Sequence, residues 1–286
     1  MTFNLQLSTF DRGFMAVDLK DKVVLVTGAS SGFGEDAARL FAKEGCKVVV
    51  AARRIERLQN LAASIQDEGG EAIAVPMDVT NHDEINLMIK TAIDLYGQID
   101  ILFNNAGFGH LGWLEDLDPD RDIETQIQVN LTGLIQTTRA VLPYMLQRES
   151  GHIINMSSVA GWIAPATYSI YSATKFGVRG FTDALRREVQ PFGVRVSGIY
   201  PGPAETEFSQ HTGNHPMKKT RLRKAFPPMT SEYVAQRVID LAKHPRRTLI
   251  IPWYFRIAFF GDRTMPWLVD WFVMQFLTKR KHRRPL

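Results

Sequence analysis

The chain has 286 residues, of which 45% are hydrophobic and 22% are charged. This is the composition of a globular protein with a large core, and the sequence contains neither internal repeats nor low-complexity stretches. The single cysteine, Cys46, excludes an intramolecular disulfide and suits a reducing compartment, so a cytoplasmic protein is expected.

The net charge of +4 is unevenly distributed along the chain. Met217–Lys224 holds five basic residues and no acid, and Lys279–Arg284 holds five more. The remainder is mildly acidic, so the basic character is confined to one loop and the tail. Nucleic-acid binding is not expected, because these clusters are local and lack a recognised binding module. No metal site is predicted either.

The N-terminal residues do not have a positively charged start followed by an apolar stretch, so no secretory signal is predicted. Met15 is an alternative start to Met1, since the folded pattern begins near Val17. No window offers about 18 uninterrupted apolar residues, and a membrane-spanning helix is therefore not expected.

Predicted strands and helices alternate along the chain. The strands are short apolar runs, predicted at Lys22–Thr27, Lys47–Ala51, Ala72–Pro76, Ile99–Phe103, His152–Met156, Val194–Tyr200 and Thr248–Ile251. The helices are predicted at Gly34–Glu44, Arg57–Glu68, Asn81 or Asp83 to Tyr96, Ile123–Arg148, Tyr168–Gln190 and Tyr233–Lys243. Alternation with continuously apolar strands predicts an α/β fold, a doubly wound parallel sheet with helices on both faces. Ligands of such sheets bind at the carboxyl ends of the strands.

A glycine-rich loop links the first strand to its helix. In TGASSGFG, Gly28 suits the tight turn, Gly32 leaves room for a pyrophosphate, and Gly34 permits close contact between helix and strand. The amides at the helix N-terminus would then face the phosphates. A purely structural turn is the alternative, but the strand before the loop and the helix after it favour a dinucleotide site.

The residues after the second strand select the cofactor. An NAD site usually places an acid there for the ribose 2′-hydroxyl, whereas this chain has Arg53 and Arg54. A guanidinium can pair with a 2′-phosphate through two hydrogen bonds, and Ser30 can add a hydroxyl contact. A solvated helix start is the alternative, although the helix dipole disfavours basic residues at that end. The pattern favours NADP over NAD.

Six motifs occur in order and resemble those of the short-chain dehydrogenase/reductase family. They are the glycine loop, Asn104-Asn105-Ala106-Gly107, Asn130, Ser158, the Tyr171-Ser172-Ala173-Thr174-Lys175 signature (YxxxK), and Pro201-Gly202 with Thr206. The resemblance covers Asp18 to Ile251 and implies a single Rossmann-type domain. It implies an N-terminal extension at 1–17, a catalytic domain at 18–251 with a substrate lid at about 203–229, and an amphipathic extension at 252–286.

Tyr171 and Lys175 are four residues apart on a helix and therefore share a face. A free phenol titrates at about pH 10 and is a poor base at neutral pH. We expect Lys175, the nicotinamide ring and partial burial together to lower the tyrosine pKa. Tyr171 would then exchange a proton with an alcohol or a carbonyl oxygen, while the nicotinamide carries the hydride.

The family resemblance implies roles for the other site residues. Ser158 hydrogen-bonds the substrate oxygen, with Ser157 expected to be structural. Lys175 also binds the nicotinamide ribose, and Asn130 holds a water that relays protons, unless its side chain is satisfied by backbone. Asp78 would meet the adenine and Thr206 the carboxamide, unless these are turn or cap residues. The residues assigned to the cofactor are Gly28, Ser30, Ser31, Gly32, Phe33, Gly34, Arg53, Arg54, Asp78, Val79, Asn105, Ala106, Gly107, Tyr171, Lys175, Pro201, Gly202 and Thr206.

The predicted substrate pocket is apolar and aromatic, although part of its lining is expected to be ordinary core. Its walls are Phe108, Gly109, His110, Leu111, Trp113, Trp162, Ile163, Pro165 and Tyr168. This lining favours a bulky hydrophobic ketone or alcohol of the steroid, retinoid, fatty-chain or aromatic kind. His110 either contacts substrate or is solvated. The basic lid either attracts an acidic substrate or is a solvated surface.

Residues 252–286 depart from the family pattern and hold three of the five tryptophans. The segment is an extra pocket wall, a subunit interface, or a membrane-surface anchor whose basic tail faces anionic lipid. The function predicted first is an NADP-dependent carbonyl reductase or alcohol dehydrogenase, in a homo-oligomer (dimer or tetramer). The alternatives are a non-catalytic NADP-binding regulatory protein and an epimerase-type reaction on the same site.

Overall fold

One parallel sheet of seven strands forms the centre of the computed structural model, which describes residues 16–207 and 228–276. The strands are β1 (Val23–Thr27), β2 (Lys47–Ala52), β3 (Glu71–Pro76), β4 (Ile101–Asn104), β5 (Gly151–Met156), β6 (Val194–Pro201) and β9 (Thr248–Ile251). Their order in the sheet is β3-β2-β1-β4-β5-β6-β9. The basic run at 217–224, the basic tail at 279–284 and most of the predicted lid and N-terminal extension lie outside the described residues.

Helices cover both faces of the sheet, as predicted. They are α1 (Gly32–Lys43), α2 (Ile55–Asp67), α3 (His82–Tyr96), α4 (Leu134–Gln147), α5 (Ser169–Val189) and α6 (Ser231–Lys243). One core contains Phe41 of α1 and Val238 of α6, and the other contains Met88 of α3 and Leu185 of α5. Burial on both faces explains why the strands are continuously apolar rather than alternating.

After β1 the chain adds β2 and β3 on one side of this strand, and it then adds β4 on the other side. Val24 of β1 pairs with Val48 of β2 on one side and with Ile101 of β4 on the other. The connections leaving β1 and β4 therefore diverge, and a crevice opens at their carboxyl ends. The glycine loop and the Asn104–Gly107 motif follow these two strands, so the fold brings them to the same crevice.

The predicted helix at Ile123–Arg148 is not uniformly α-helical. Wider π-helical turns at Pro119–Glu124 and Gln128–Gly133 precede α4, with Thr125–Ile127 between them. Sequence periodicity does not distinguish such turns from α-helix over one or two windings. At the start of α3 the structure decides between two predicted caps: Asn81 is the N-cap, and its side chain accepts from the amides of Asp83 and Glu84.

A pair of very short parallel strands was not predicted. They are β7 (Ala204–Glu205) and β8 (Met229–Thr230), and they lie on either side of the segment that the structure does not describe. Two residues are too few to show a period-2 pattern, so only the pairing reveals them. They join the chain after β6 to the start of α6.

Two helices follow β9 in the predicted amphipathic extension. They are α7 (Phe255–Thr264) and α8 (Pro266–Phe276). Within residues 16–207 and 228–276, no helix combines the length and the apolar character needed to cross a membrane.

His152 is buried between β5 and β6, and its Nε2 lies 2.8 Å from Ser197 Oγ. Burial, followed by the charge of Arg195, lowers the His152 pKa to about 3. In the unfolded chain the His152 ring takes up a proton as the pH falls through about 6.5, whereas in the folded protein the ring stays neutral at that pH. The free energy of unfolding should therefore fall as the pH drops from about 6.5 towards 3, by up to about 1.4 kcal/mol per pH unit.

Urea unfolding of the wild-type protein and of His152→Asn, at pH 7 and at pH 4.5, measures this term. The carboxylates titrate in both proteins, so the difference between them isolates His152. The variant should lose less stability on acidification. An identical loss in both proteins would show that His152 is not the titrating group.

Candidate active site

The glycine loop is shaped by two positions that accept no side chain. Gly28 has φ of +66°, and a Cβ there would lie 2.7 Å from the Ala106 Cα. A Cβ on Gly34 would lie 2.4 Å from the Gly28 carbonyl oxygen. Glycine at these positions lets the loop turn sharply from β1 into α1 and press against the chain that follows β4.

Hydrogen bonds join the glycine loop to the Asn104–Gly107 motif. The amides of Asn105 and Ala106 donate to Thr27 Oγ1 at 3.0 and 3.1 Å. The Asn105 side chain donates to the carbonyl oxygens of Thr27 and Gly28 at 3.1 and 3.2 Å. The ends of β1 and β4 therefore form one preorganised unit.

The N-terminus of α1 opens onto this unit. Ser31 is the N-cap residue, but its side chain makes no capping hydrogen bond. The first-turn amides and the helix dipole are consequently available to an anionic group. Together with the glycine positions, this donor set fits the pyrophosphate of a dinucleotide.

Arg54 lies over the glycine loop. Its guanidinium donates to Ser30 Oγ at 2.9 and 3.0 Å and to Ser31 Oγ at 2.7 Å. It also donates to the Glu207 carboxylate at 3.0 Å, and Arg57 donates to the same carboxylate at 2.7 Å. These two hydrogen bonds hold the Glu207 pKa down to about 2. The Glu207 carboxylate therefore lies where the sequence predicts a phosphate.

Arg53 has a different setting from Arg54. Its side chain is 74% exposed, and its Nη1 lies 3.9 Å from Asp78 Oδ2. The other Asp78 oxygen accepts from the Thr80 amide at 2.9 Å and its hydroxyl at 2.8 Å, which is a turn arrangement. Asp78 thus stabilises the turn after β3, while its second oxygen faces Arg53. Neighbouring Val79 is buried.

Arg57 and Glu207 are site residues that the sequence reasoning missed. Arg57 lies three residues after Arg54, the N-cap residue of α2, and that spacing was the available signal. Glu207 is separated from Arg54 by 153 positions and carries no local signal.

The predicted catalytic residues converge at the ends of β5 and β6. The Tyr171 and Ser158 side chains share a hydrogen bond. Ser158 Oγ accepts from the Ala160 amide at 3.1 Å and lies 3.5 Å from the Pro201 carbonyl oxygen. Lys175 Nζ lies 5.6 Å from the centroid of the Tyr171 ring. The predicted set of Ser158, Tyr171 and Lys175 is therefore brought together.

Ser157 faces away from this group. It is buried, and its Oγ donates to the Lys175 carbonyl oxygen at 3.0 Å. The hydroxyl ties β5 to the backbone of α5 rather than to the tyrosine. This placement agrees with the structural role expected for Ser157.

Burial dominates the titration of the tyrosine and the lysine. It raises the Tyr171 pKa above its usual value, against the opposing effect of the Ser158 hydrogen bond. It lowers the Lys175 pKa to about 8. Our expectation that burial would help lower the tyrosine pKa was wrong, because desolvation disfavours the phenolate. Lys175 Nζ donates to the Met156 carbonyl oxygen at 3.1 Å. Without cofactor, Tyr171 therefore keeps its proton at neutral pH.

Asn130 is fully buried within the second π-helical turn. Its side chain accepts from the Phe108 amide at 2.9 Å and donates to the Phe108 carbonyl oxygen at 2.7 Å. This is the backbone-satisfied alternative, and it fixes the loop after β4. A Cβ on Gly107 would lie 3.0 Å from Asn130 Oδ1 and 3.6 Å from Lys175 Nζ, so only a glycine leaves this space open.

The segment after β6 approaches the glycine loop. A Cβ on Gly32 would lie 3.5 Å from the Thr206 side chain. Gly202 donates to the Ile251 carbonyl oxygen at 2.8 Å. The predicted Pro201-Gly202 turn and Thr206 therefore lie along one side of the crevice.

Comparison with known proteins agrees with this geometry. Residues 22–216 match the family model described as short chain dehydrogenase. The chain belongs to this family. It is 40% identical over 205 residues to an uncharacterized oxidoreductase of Staphylococcus saprophyticus, covering 71% of this chain and 82% of that one. It is 41% identical over 192 residues to an uncharacterized oxidoreductase of Listeria innocua, covering 66% and 77%.

Two solved structures of similar fold are both oxidoreductases. An alcohol dehydrogenase from Thermococcus sibiricus, complexed with 5-hydroxy-NADP, has a TM-score of 0.71 and 26% identity over 81% of this chain and 95% of that one. A 3-ketoacyl-(acyl-carrier-protein) reductase from Brucella melitensis, complexed with NADH, has a TM-score of 0.74 and 29% identity over 82% and 97%. Both neighbours were solved with a nicotinamide dinucleotide bound.

The predicted pocket walls fall into two groups. Leu111 and Tyr168 pack against Tyr171, with the two tyrosine ring centroids 6.1 Å apart. Trp162 instead stacks on Phe259 of α7 with ring centroids 4.9 Å apart. The Arg179 guanidinium lies 3.3 Å from the centroid of the same indole ring. Trp162 therefore belongs to the packing between the core and α7.

His110 contacts residues of the π-helical segment. Its Nδ1 lies 3.3 Å from Oδ1 of the buried Asp122, and its amide donates to the Gln126 side chain at 3.1 Å. These contacts fasten the loop after β4 to the π-helical segment.

Proposed function

We propose that the protein is an NADP(H)-dependent carbonyl reductase or alcohol dehydrogenase acting on a bulky, hydrophobic ketone or secondary alcohol. The observation that carries this proposal is the protonated Tyr171 phenol, hydrogen-bonded to Ser158 and beside Lys175. A cofactor-binding regulatory protein has no need of this set.

The preference for NADP is supported by the Glu207 carboxylate, which two arginines bind near the end of β2. Arg54 and Arg57 donate hydrogen bonds to the Glu207 carboxylate. Arg54 also donates to the hydroxyls of Ser30 and Ser31. A 2′-phosphate carries more charge than a carboxylate and offers three acceptor oxygens. It would displace Glu207 and take over these donors, with Arg53 free to turn in from solvent.

Each residue of this set has a role in the reductive direction. The nicotinamide supplies the hydride when it is bound. Ser158 Oγ would hold the substrate oxygen, and Tyr171 would donate its proton to that oxygen as negative charge develops there. Burial raises the Tyr171 pKa, so the phenol carries this proton at neutral pH. Positive charge on Lys175, whose pKa of about 8 keeps it mostly protonated, would stabilise the resulting phenolate.

The substrate class is supported by the surroundings of the phenol. Tyr171, Leu111, Ala160 and Tyr168 form one apolar cluster. A ketone with a large apolar substituent can bury that substituent there, whereas a sugar would leave its hydroxyls without partners.

A panel of apolar ketones with NADPH and NADH tests the proposal. We expect oxidation of NADPH that depends on the ketone, with larger apolar ketones giving the higher kcat/KM. An epimerase would convert substrate without net NADPH consumption, and a regulatory protein would bind NADPH without turnover. Either outcome would overturn the reductase assignment.

A further inference from the structure

Helix α7 is attached to the protein by one face only. Phe259 is buried and stacks on Trp162, and a Cβ on Gly202 would lie 2.6 Å from the Phe255 ring. These contacts hold α7 firmly against β6 and β9. They also fix which of its residues point outward.

The opposite side of α7 and α8 exposes large apolar side chains. Ile257 and Phe260 of α7 are 64% and 70% exposed, and Trp267 of α8 is 68% exposed. Trp253, Leu268, Trp271 and Met274 are exposed as well. A run of this size is more than the scattered apolar residues of an ordinary surface, and it marks an interaction site.

Cationic residues border this apolar surface. Arg256 and Arg263 lie on the same helical face as Phe260, at spacings of four and three residues. Both are exposed, and Asp262 and Asp270 are the acids of the two helices. In the sequence, Lys279–Arg284 adds five basic residues and no acid shortly after α8 ends. The exposed apolar surface is thus accompanied by positive charge.

A second copy of the chain suits this surface poorly. A two-fold interface places the same patch against itself, and it would bring together two extensions that each carry seven Lys and Arg residues and two Asp residues. An anionic surface instead attracts each of them, and tryptophan side chains favour the boundary between lipid headgroups and acyl chains. We propose that the exposed apolar faces of α7 and α8 bind the surface of a membrane containing anionic lipid.

Binding in this orientation requires no spanning segment. The helices would lie along the membrane plane, with Phe260 and Trp267 entering the headgroup boundary. The face of α7 that carries Phe255 and Phe259 would stay on the protein, packed against Tyr200 of β6 and Ile250 of β9. An apolar substrate dissolved in the lipid would meet the protein on the side where α7 packs on β6 and β9.

Co-sedimentation of the full-length protein with vesicles tests this proposal. The vesicles are phosphatidylcholine alone and phosphatidylcholine mixed with phosphatidylglycerol, at low and high salt. We expect binding to the mixed vesicles that weakens with salt, and roughly tenfold weaker binding to the neutral ones. The variant Phe260→Gln/Trp267→Gln should reduce binding to the mixed vesicles by roughly tenfold or more.

Leu87→Gln/Leu95→Gln is the matched control, because these leucines are 59% and 57% exposed on α3, away from the proposed surface. It should sediment like the wild type, and both variants should keep the wild-type unfolding temperature. Absence of sedimentation, or equal loss in both variants, would overturn the proposal. So would light scattering that shows a dimer which only Phe260→Gln/Trp267→Gln dissociates. Turnover of ketones is not used as a readout, so failure of the reductase assignment would leave this test intact.

Discussion

Tyr171→Phe should lower kcat for ketone reduction by about a thousandfold while NADPH still binds. The variant removes the hydroxyl that donates the proton and that shares a hydrogen bond with Ser158. The ring and its packing against Tyr168 and Leu111 remain, so the fold and the crevice should be unaffected. Steady-state kinetics and the NADPH dissociation constant, measured on the same preparation, separate loss of chemistry from loss of binding.

Tyr144→Phe is the matched control for this variant. It also removes one phenolic hydroxyl, but from the partly exposed surface of α4. Its kcat should equal that of the wild type. Near-normal turnover by Tyr171→Phe would reject Tyr171 as the proton donor.

Replacing both Arg53 and Arg54 with alanine should reduce kcat/KM for NADPH by roughly a hundredfold and leave the value for NADH nearly unchanged. Charge-assisted hydrogen bonds contribute about 1.5–3 kcal/mol each, and only the 2′-phosphate of NADPH would receive them. The measurement is kcat/KM for both cofactors with one ketone. An equal fall for NADPH and NADH would mean that the arginines support the loop rather than select the cofactor.

Glu207→Gln provides the reciprocal variant. Its carboxylate accepts hydrogen bonds from Arg54 and Arg57, so it competes with a phosphate for the same donors. Because this ion pair is largely exposed, its removal should tighten NADPH binding only a few-fold. NADH binding should not change. A wild-type enzyme that prefers NADH would contradict the assignment of this site to a 2′-phosphate.

The location of the predicted catalytic and cofactor motifs could be read from the sequence, because they follow strands that are recognisable as short apolar runs. Val23–Thr27 is buried on both faces, so the run is apolar throughout and its end is easy to find. The helical spacing of Tyr171 and Lys175 likewise places both residues on one face before any tertiary contact is known. Motifs at strand ends and pairs within one helix are therefore readable from the chain.

Other features depend on contacts between distant parts of the chain. Asn130 could be assigned to two environments from sequence, and only the fold brings the Phe108 backbone against its side chain. Trp162 has the same apolar character in a pocket wall and in a core, and its stacking on Phe259 decides between them. Periodicity reports whether a residue is buried, not which residue buries it.

The sequence by itself determined the parallel sheet and the motifs that follow its strands, because burial and turn chemistry act over a few neighbouring positions. The tertiary structure decided the direction in which the Tyr171 pKa is shifted, since this direction depends on how completely the fold removes water from the phenol. It also decided that Glu207 meets Arg54 and Arg57, since an ion pair spanning most of the chain exists only once the sheet has brought those segments together.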